Sequence, residues 1–327
     1  MSERTVLVTG GSGFLGKEIV RTFLSHQWHV RSISRHTNSD LQLMGVECFC
    51  GDLSADKAVV MQATKDCEVV IHCAAKAGVW GTRDEFYQSN VLTTKLILEC
   101  CEKNNVAALV FTSSPSVVFS GKDDNGCNEA LPYPKKFHSF YSETKAIAEQ
   151  MVLCNKYIRC CALRPHLIWG PNEPHMLPRI WANADKLRII GNGKNVVDCV
   201  YVTNAAEAHY LAANELLSST SRCKGNAYFV TNNEPVVLWD FINRILKMKG
   251  MKPITRHVPK HLAIAIGTFL EQYYRMFPPK FEPYITGFVA RELSSSHWYD
   301  CSAARRDFGY IPRITIEEGL RLTADAL

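Results

Sequence analysis

Through the first half of the chain, short continuous runs of apolar residues alternate with stretches in which apolar residues recur every three or four positions. Thr5 to Thr9 reads as a buried strand, Phe14 to Ser25 as an amphipathic helix and His29 to Ser34 as a second strand. Further strands are predicted at Val46 to Cys50, Val69 to Cys73, Ala108 to Thr112 and Arg159 to Leu163, with helices near Phe86 to Lys103 and Phe140 to Lys156. Strand and helix alternating at this spacing build a parallel sheet through right-handed crossovers. After Gly170 the alternation fails, and Pro171, Pro174 and Pro178 mark a segment that leaves the sheet. Val196 to Val202 and Ala205 to Leu217 then read as a last strand and helix returning to it, and from Asn226 onward the elements are smaller and mixed.

Composition narrows the class. The 327 residues are 46% hydrophobic and 21% charged, the balance of a globular protein with a sizeable core. The net charge of +5 is spread along the chain without a basic run, which argues against a nucleic-acid partner and mildly favours anionic small ligands. The thirteen cysteines are odd in number, form no CxxC pair and include Cys100/Cys101 and Cys160/Cys161 inside apolar elements. Cys48 and Cys50 flank Phe49 on a predicted strand. Free thiols of a reducing compartment are expected, with no metal site. Only Met1 to Arg4 precede the first strand, so no signal peptide is expected. The longest apolar stretch, Leu262 to Leu270, is far short of the ~20 residues of a membrane span. The expected location is cytoplasmic.

The first candidate chemistry lies where the first strand ends, in Thr9-Gly10-Gly11-Ser12-Gly13-Phe14-Leu15-Gly16, just ahead of a helix. Glycines there permit a tight turn and close approach of backbone to a pyrophosphate, which the free N–H groups of the helix start can hold. The fold class expected is therefore α/β, a Rossmann-type doubly wound parallel sheet with a smaller C-terminal substrate-binding domain. Residues 1–170 plus 195–218 would form the dinucleotide-binding part, and 171–194 plus 219–327 the substrate side. Sites selective for NAD usually end the second strand, ~20 residues after the glycines, with an acidic residue on the ribose hydroxyls. Here that place holds Ser34, Arg35 and His36. A guanidinium can grip a 2′-phosphate that a carboxylate would repel, so NADP(H) is expected over NAD(H). In Gly51-Asp52-Leu53, Asp52 reads either as a contact to the adenine amino group or as a cap for the segment that follows.

Tyr141 and Lys145 form a YxxxK pair on a predicted helix, which sets both side chains on one face a turn apart. Of the 12 tyrosines, only Tyr141 has a lysine four positions later. A neighbouring ammonium and a cationic nicotinamide would both favour the phenolate and bring the phenol toward a useful acid–base range. Ser114, at the end of Phe111-Thr112-Ser113-Ser114, would hydrogen-bond the reacting oxygen, with Ser113 as the competing assignment. Asn90 reads either as a support for the lysine or as a packing residue.

With these residues in place, the chain resembles the extended short-chain dehydrogenases/reductases from Gly10 to about Thr323, and within them the 3β-hydroxysteroid dehydrogenase family. Leu163-Arg164-Pro165-His166, Ile168-Trp169-Gly170-Pro171 and Gly191-Asn192-Gly193-Lys194-Asn195 with Val197-Asp198 are similar to those of sterol 4α-carboxylate 3-dehydrogenases. Ala74-Ala75-Lys76-Ala77-Gly78-Val79-Trp80-Gly81, His297-Trp298-Tyr299-Asp300 and the stretch from Cys301 to Arg306 are closer to bacterial 2-alkyl-3-oxoalkanoate reductases. The resemblance implies catalysis by Ser114, Tyr141 and Lys145. It places cofactor contacts at Gly10, Gly13, Gly16, Asp52, Ala74 and Ala75, with Ser12, Phe14, Leu15, Ser34, Arg35, Leu53, Lys76, Tyr141, Lys145, Pro165 and His166 completing the expected set. Steroid-oxidising members generally keep an acidic residue where Ser34 and Arg35 stand, so the departure argues for reduction with NADPH.

Both substrate classes carry an oxygen next to a carbon bearing a carboxyl group, for which Lys76, His166 and Arg179 are the candidate cations. The leading expectation is reduction of a hydrophobic β-keto acid. Steroid or sterol dehydrogenation comes second and nucleotide-sugar epimerisation or dehydration third, while a redox sensor that binds NADP without turnover would not need the Ser-Tyr-Lys set. The apolar stretches Leu262 to Phe277 and Phe281 to Val289 suit an oily ligand, a core, a dimer interface, or a peripheral contact with a membrane or partner enzyme. A homodimer pairing the helices at Phe86 to Lys103 and Phe140 to Lys156 is expected.

Overall fold

The computed structural model describes residues 4–36, 38–277 and 282–327. Seven parallel strands form the central sheet: β1 (Thr5–Thr9), β2 (His29–Ser34), β3 (Glu47–Cys50), β4 (Val69–His72), β5 (Ala108–Thr112), β6 (Arg159–Pro165) and β7 (Ala227–Val230). Their spatial order is β3-β2-β1-β4-β5-β6-β7. The chain runs outward from β1 to β3 on one side and then crosses to β4 on the other. A crevice therefore opens beyond the carboxyl ends of β1 and β4, where such sheets take ligands. β4 and β5 are buried along their whole length, as expected of strands covered by helices on both faces.

Helices α1 (Phe14–Ser25), α2 (Thr93–Lys103), α3 (Phe140–Leu153) and α4 (Val202–Leu217) flank the sheet. Ile19, Val20, Phe23, Ala205, Ala208 and Ala212 join one face's core, while Ile97, Cys101, Ala148 and Val152 join the other's. The helix expected from Phe86 starts earlier, where Thr82 and Glu85 form a reciprocal cap. It passes through a π-helical stretch, Tyr87–Leu92, before becoming α2. A separate core gathers Trp169, Leu177, Ile189, Trp239, Phe241 and Ile245.

The last strand is not where the sequence pattern put it. Val196 to Val202 divides into two short strands, Val196–Val197 and Val200–Tyr201, which pair outside the central sheet with His297 and with Ile168–Trp169 respectively. Asp198 sits between them, fully buried, with both carboxylate oxygens hydrogen-bonded. The seventh strand is Ala227–Val230, beside β6, so the central sheet reaches past residue 219 into a segment read as part of the substrate side. The helix Ser302–Phe308 packs on it through Tyr228 and Phe308, and Tyr228 donates to Asp307.

Beneath the carboxyl end of β6, the Arg164 guanidinium donates two hydrogen bonds to the Glu149 carboxylate, at 3.0 and 2.6 Å, and Tyr133 donates a third at 2.6 Å. Both partners of the ion pair are almost entirely buried. Removing one partner of such a pair strands the other charge without water, at a cost of about 3–5 kcal/mol. Arg164→Leu is therefore expected to lower unfolding free energy by that amount in urea titrations, and Arg164→Leu/Glu149→Leu to recover most of it. Equal losses in the single and double variants would contradict this account.

Candidate active site

The cofactor crevice is built by close approaches that only glycine allows. Gly10 has a φ of +70°, and a Cβ there would lie 2.9 Å from Ala74 Cα; one at Gly16 would lie 2.0 Å from the Gly10 carbonyl oxygen. α1 thereby starts directly against the β1–β4 crevice. It has no side-chain cap and no acidic residue in its first turn, so its leading N–H groups are left for an anion. The residues present fit the pyrophosphate of a dinucleotide. Behind them Thr9 Oγ1 lies 2.8 Å from His72 Nδ1 and accepts the Ala74 N–H at 3.1 Å, while His72 Nε2 lies 3.0 Å from Thr94 Oγ1. Burial, and then the Lys145 ammonium, push His72 down to about 3, so it serves as a neutral strut.

At the end of β2 the Ser34 hydroxyl donates to the His36 carbonyl at 2.7 Å, and Arg35 is exposed. The Asp52 carboxylate accepts the Ser54 hydroxyl and N–H at 2.6 and 2.8 Å. Those bonds, with a smaller contribution from Arg35, hold it below the usual carboxylate range. Asp52 thus closes its own turn and stands near the Arg35 charge.

Ser113 and Ser114 take different environments at the end of β5. The Ser113 hydroxyl is buried without a hydrogen-bond partner among the described residues, and its N–H donates to the Leu163 carbonyl at 2.6 Å. Ser114 is half-buried, accepts the Ser116 N–H at 3.2 Å and presents its hydroxyl to the Tyr141 phenol. Tyr141 lies in the first turn of α3, which Ser139 caps by accepting the Ser142 N–H at 3.1 Å. Lys145 follows one turn later and is 2% exposed. Its ammonium donates to the Thr112 carbonyl and lies 4.0 Å from the centre of the Phe111 ring. Asn90, in the π-helical stretch, makes no hydrogen bond to Lys145 among the described residues. It accepts the Lys76 N–H at 2.8 Å and donates to Thr144 at 3.0 Å, tying the loop after β4 to α3.

The titration of this set departs from the expectation drawn from spacing. Burial pushes Tyr141 up to about 12, with Ser114 opposing and Glu292 adding to the rise. Burial likewise pushes Lys145 down to about 8. The ammonium is turned toward Thr112 and Phe111, so desolvation outweighs any help it gives the phenolate. The protein alone thus holds a neutral phenol, ready to give a proton, beside a cation with little surrounding water.

All three candidate cations for a substrate carboxylate are already engaged. Arg179 is 3.7 Å from Glu282 and donates to the Tyr284 carbonyl at 3.2 Å. His166 is buried with both ring nitrogens occupied, Nδ1 at 2.5 Å from Asp198 and Nε2 at 3.1 Å from His297 Nδ1. Lys76 is 3.1 Å from the exposed Glu85, a weak pair in water, and lies over Phe86, whose ring meets Tyr141 edge-on at 6.4 Å. Of the three, Lys76 and Arg179 have exposed partners and can exchange them more easily than His166. Glu292 was not anticipated: it lies in a short helix without a motif, and nothing in its spacing connects it to Tyr141. Among the described residues no group of three His, Cys, Asp or Glu side chains could hold a metal ion, and no helix is long and apolar enough to cross a membrane.

A glycine turn at the switch point and a Ser-Tyr-Lys set beside it define a nicotinamide-dependent oxidoreductase of the short-chain dehydrogenase/reductase class. Residues 7–260 match the model of the 3-beta hydroxysteroid dehydrogenase/isomerase family, and the chain belongs to that family. It is 43% identical to a 2-alkyl-3-oxoalkanoate reductase of Shewanella oneidensis, over 96% of this chain and 84% of the relative. It is 34% identical to a sterol-4-alpha-carboxylate 3-dehydrogenase, decarboxylating, of Mus musculus, over 98% and 90%. Its fold is similar to that of UDP-glucuronic acid 4-epimerase from Bacillus cereus in complex with NAD, with a TM-score of 0.74, 21% identity and 98% of both chains covered.

If Tyr141 gives the proton and Ser114 orients the oxygen, Tyr141→Phe should keep cofactor affinity and lose at least ~10²-fold in kcat, and Ser114→Ala about 10²-fold. Ser113→Ala should stay close to the parent. Steady-state oxidation of the reduced cofactor with any ketone turned over checks all three, and the reverse ranking of the two serines would reassign the role.

Proposed function

We propose that the chain reduces the ketone of a hydrophobic β-keto acid, a 2-alkyl-3-oxoalkanoate, to the secondary alcohol with NADPH. The observation that carries the reading is the neutral Tyr141 phenol beside Ser114 and the buried Lys145 ammonium, at the crevice that the glycine turn opens. NADPH, when bound, supplies the hydride. Ser114 donates to the substrate oxygen and fixes it against Tyr141. The phenol gives its proton to that oxygen as negative charge develops there, and Lys145, released from Thr112, stabilises the phenolate left behind. The names of the Shewanella oneidensis relative and of a second 2-alkyl-3-oxoalkanoate reductase, from Stenotrophomonas maltophilia at 39% identity, support the substrate class. Sterol dehydrogenation is the second reading, favoured by the relatives of that name.

The late apolar stretch bears on how an oily substrate arrives. In α5 (Lys260–Met276) Leu262, Ile266, Phe269, Tyr273 and Met276 are exposed, with Phe277 beyond, and only Ala263 and Gly267 are buried. These large side chains face outward and do not fill a pocket; Phe281 lies outside the described residues. The helix's other side meets the site: Tyr274 packs edge-on against Trp80, and Arg275 lies over Phe140, the neighbour of Tyr141. An apolar strip beside the mouth supports a peripheral contact there with a membrane or a partner enzyme.

For the cofactor, NADPH should bind at least tenfold tighter than NADH, and Arg35→Ala should erase most of that gap, since one charge-assisted contact of ~1.4 kcal/mol accounts for it. Equal dissociation constants in the parent would refute the preference.

For the substrate, kcat/KM with NADPH should rank a long-chain 2-alkyl-3-keto acid above its decarboxylated ketone, a 3-ketosteroid and a nucleotide sugar. Shortening the chain should cost about 0.8 kcal/mol per methylene while the tail stays buried. Preference for the steroid would promote the second reading, and activity on the sugar alone would discard both.

A further inference from the structure

On one side α5 is held by contacts that only glycine permits, and its other side is open. A Cβ at Gly267 would lie 2.6 Å from the Thr286 carbonyl oxygen, and one at Gly287 would lie 2.6 Å from Thr268 Oγ1, so the helix is pressed onto the backbone beneath it. Its outward side chains Leu262, Ile266, Phe269, Tyr273 and Met276 follow at steps of four and three, which stacks them in one stripe, and Phe277 extends it. Each of the six is 44–70% exposed. Together they leave on the order of 700 Å² open, more than the ~300–600 Å² of the largest apolar patch on a typical monomer. Covering that stripe removes apolar area from water, which is favourable.

The charge around the stripe selects what covers it. Between Asp240 and Glu271 the chain has no acidic residue, while Arg244, Lys247, Lys249, Lys252, Arg256 and Lys260 carry +6. The net charge of the whole chain is +5, so all other residues together sum to −1. Folding keeps these cations close to α5. Arg256 leads into the short strand His257–Val258, which pairs with Ile189–Ile190, and α5 starts two residues later. Arg188, Lys252 and Arg256 line an open hollow of about 600 Å³ with Trp181 and Met251, in which Asp185 is the one carboxylate among the described residues. Beside the inner face of the helix, two residues before Thr286, Tyr284 is exposed and its carbonyl accepts from Arg179. Arg275 stands in the last turn, with Glu271 as its partner at 2.9 Å. An apolar stripe with cations at both ends fits a phospholipid surface of negative charge, where each cation adds to what burial of the stripe contributes. A second copy of the chain would bring a like set of cations against this one.

We propose that α5 is a membrane-docking helix, whose stripe from Leu262 to Phe277 inserts among the acyl chains of an anionic phospholipid surface with Lys252, Arg256 and Arg275 among the headgroups. This commits the peripheral contact to one partner and holds whichever ketone is reduced. The far end of the stripe also ties the docked helix to the site. Tyr274 meets Trp80 edge-on at 6.2 Å, and the Arg275 guanidinium lies 4.4 Å from the centre of the Phe140 ring and 5.7 Å from that of Trp80. A helix laid on lipid therefore brings the loop after β4 and the start of α3 to the same boundary.

The test is co-sedimentation of the full chain with phosphatidylcholine vesicles, with and without about one third phosphatidylglycerol, at low and at high salt. The parent should bind the anionic vesicles at least about tenfold tighter than the neutral ones, and high salt should remove most of that difference. Phe269→Glu/Met276→Glu should weaken binding by about a hundredfold or more, and Lys252→Gln/Arg256→Gln by about tenfold. Leu43→Glu, at an exposed apolar residue on the helix before β3, should leave it unchanged. Turnover of a water-soluble ketone at the parent's rate verifies that each variant is folded. No binding, equal binding to both kinds of vesicle, or binding that survives Phe269→Glu/Met276→Glu overturns the proposal. A parent dimer that this double variant turns into a monomer by light scattering, with no vesicle bound, assigns the stripe to a second copy and overturns it as well. Vesicle binding is read without a keto acid present, so its failure and the failure of the keto-acid reading are separate results.

Discussion

The approach of α1 to the end of β1 is the constraint on which the rest of the site depends. With the Gly10 carbonyl where a Gly16 side chain would begin, and Ala74 against Gly10, no room remains for a side chain at either place. That contact aims the free N–H groups of α1 into the gap between β1 and β4. It also fixes the loop after β4, which the Thr9 hydroxyl holds from one side and Asn90 from the other. Asn90 in turn grips Thr144, next to Lys145. A chain of backbone and side-chain bonds thus runs from the glycine turn to the helix that carries Tyr141 and Lys145.

Desolvation governs the chemistry at the far end of that chain. Lys145 and Tyr141 move in opposite pKa directions, yet both shifts disfavour charge. For Lys145 the sign of the linkage is definite. Between about 8 and its ordinary 10.5 the unfolded chain binds more protons than the folded one, so this group makes folding more favourable as pH rises through that window. Below it, the folded protein carries a poorly solvated ammonium with a carbonyl and a ring face for company. A site that keeps a cation in this condition is suited to an anionic oxygen generated beside it.

Much of this was legible in the sequence because it rests on local pattern. The first six strands, the glycine turn and the YxxxK pair each depend on residues a few positions apart, and their ends shift by only one to three residues in the structure, as at Glu47 and Leu153. What escaped depends on partners distant in the chain. Val196 to Val202 has the composition of one strand, but its two ends pair with different, distant segments, Val197 with His297 and Val200–Tyr201 with Ile168–Trp169. Ala227–Val230 is only four residues long, and its place beside β6 follows from packing against the later helix at Phe308. The candidate cations carried a charge that the sequence showed and partners that it did not. Glu292 had no pattern at all, since its effect on Tyr141 arises only once the chain is folded.

The same desolvation bears on the protonation state of the phenol. An acid that must protonate a carbonyl oxygen needs its proton in place before hydride arrives, and a phenol pushed up to about 12 is fully protonated at neutral pH. An alcohol oxidation would need the phenolate first, which this pocket disfavours through burial and through Glu292. A bound cationic nicotinamide would supply the missing positive charge, whereas the reduced cofactor would leave the phenol neutral. The protein without ligand is therefore already in the protonation state in which the phenol can give a proton, and a bound oxidised nicotinamide would be what shifts it toward the phenolate.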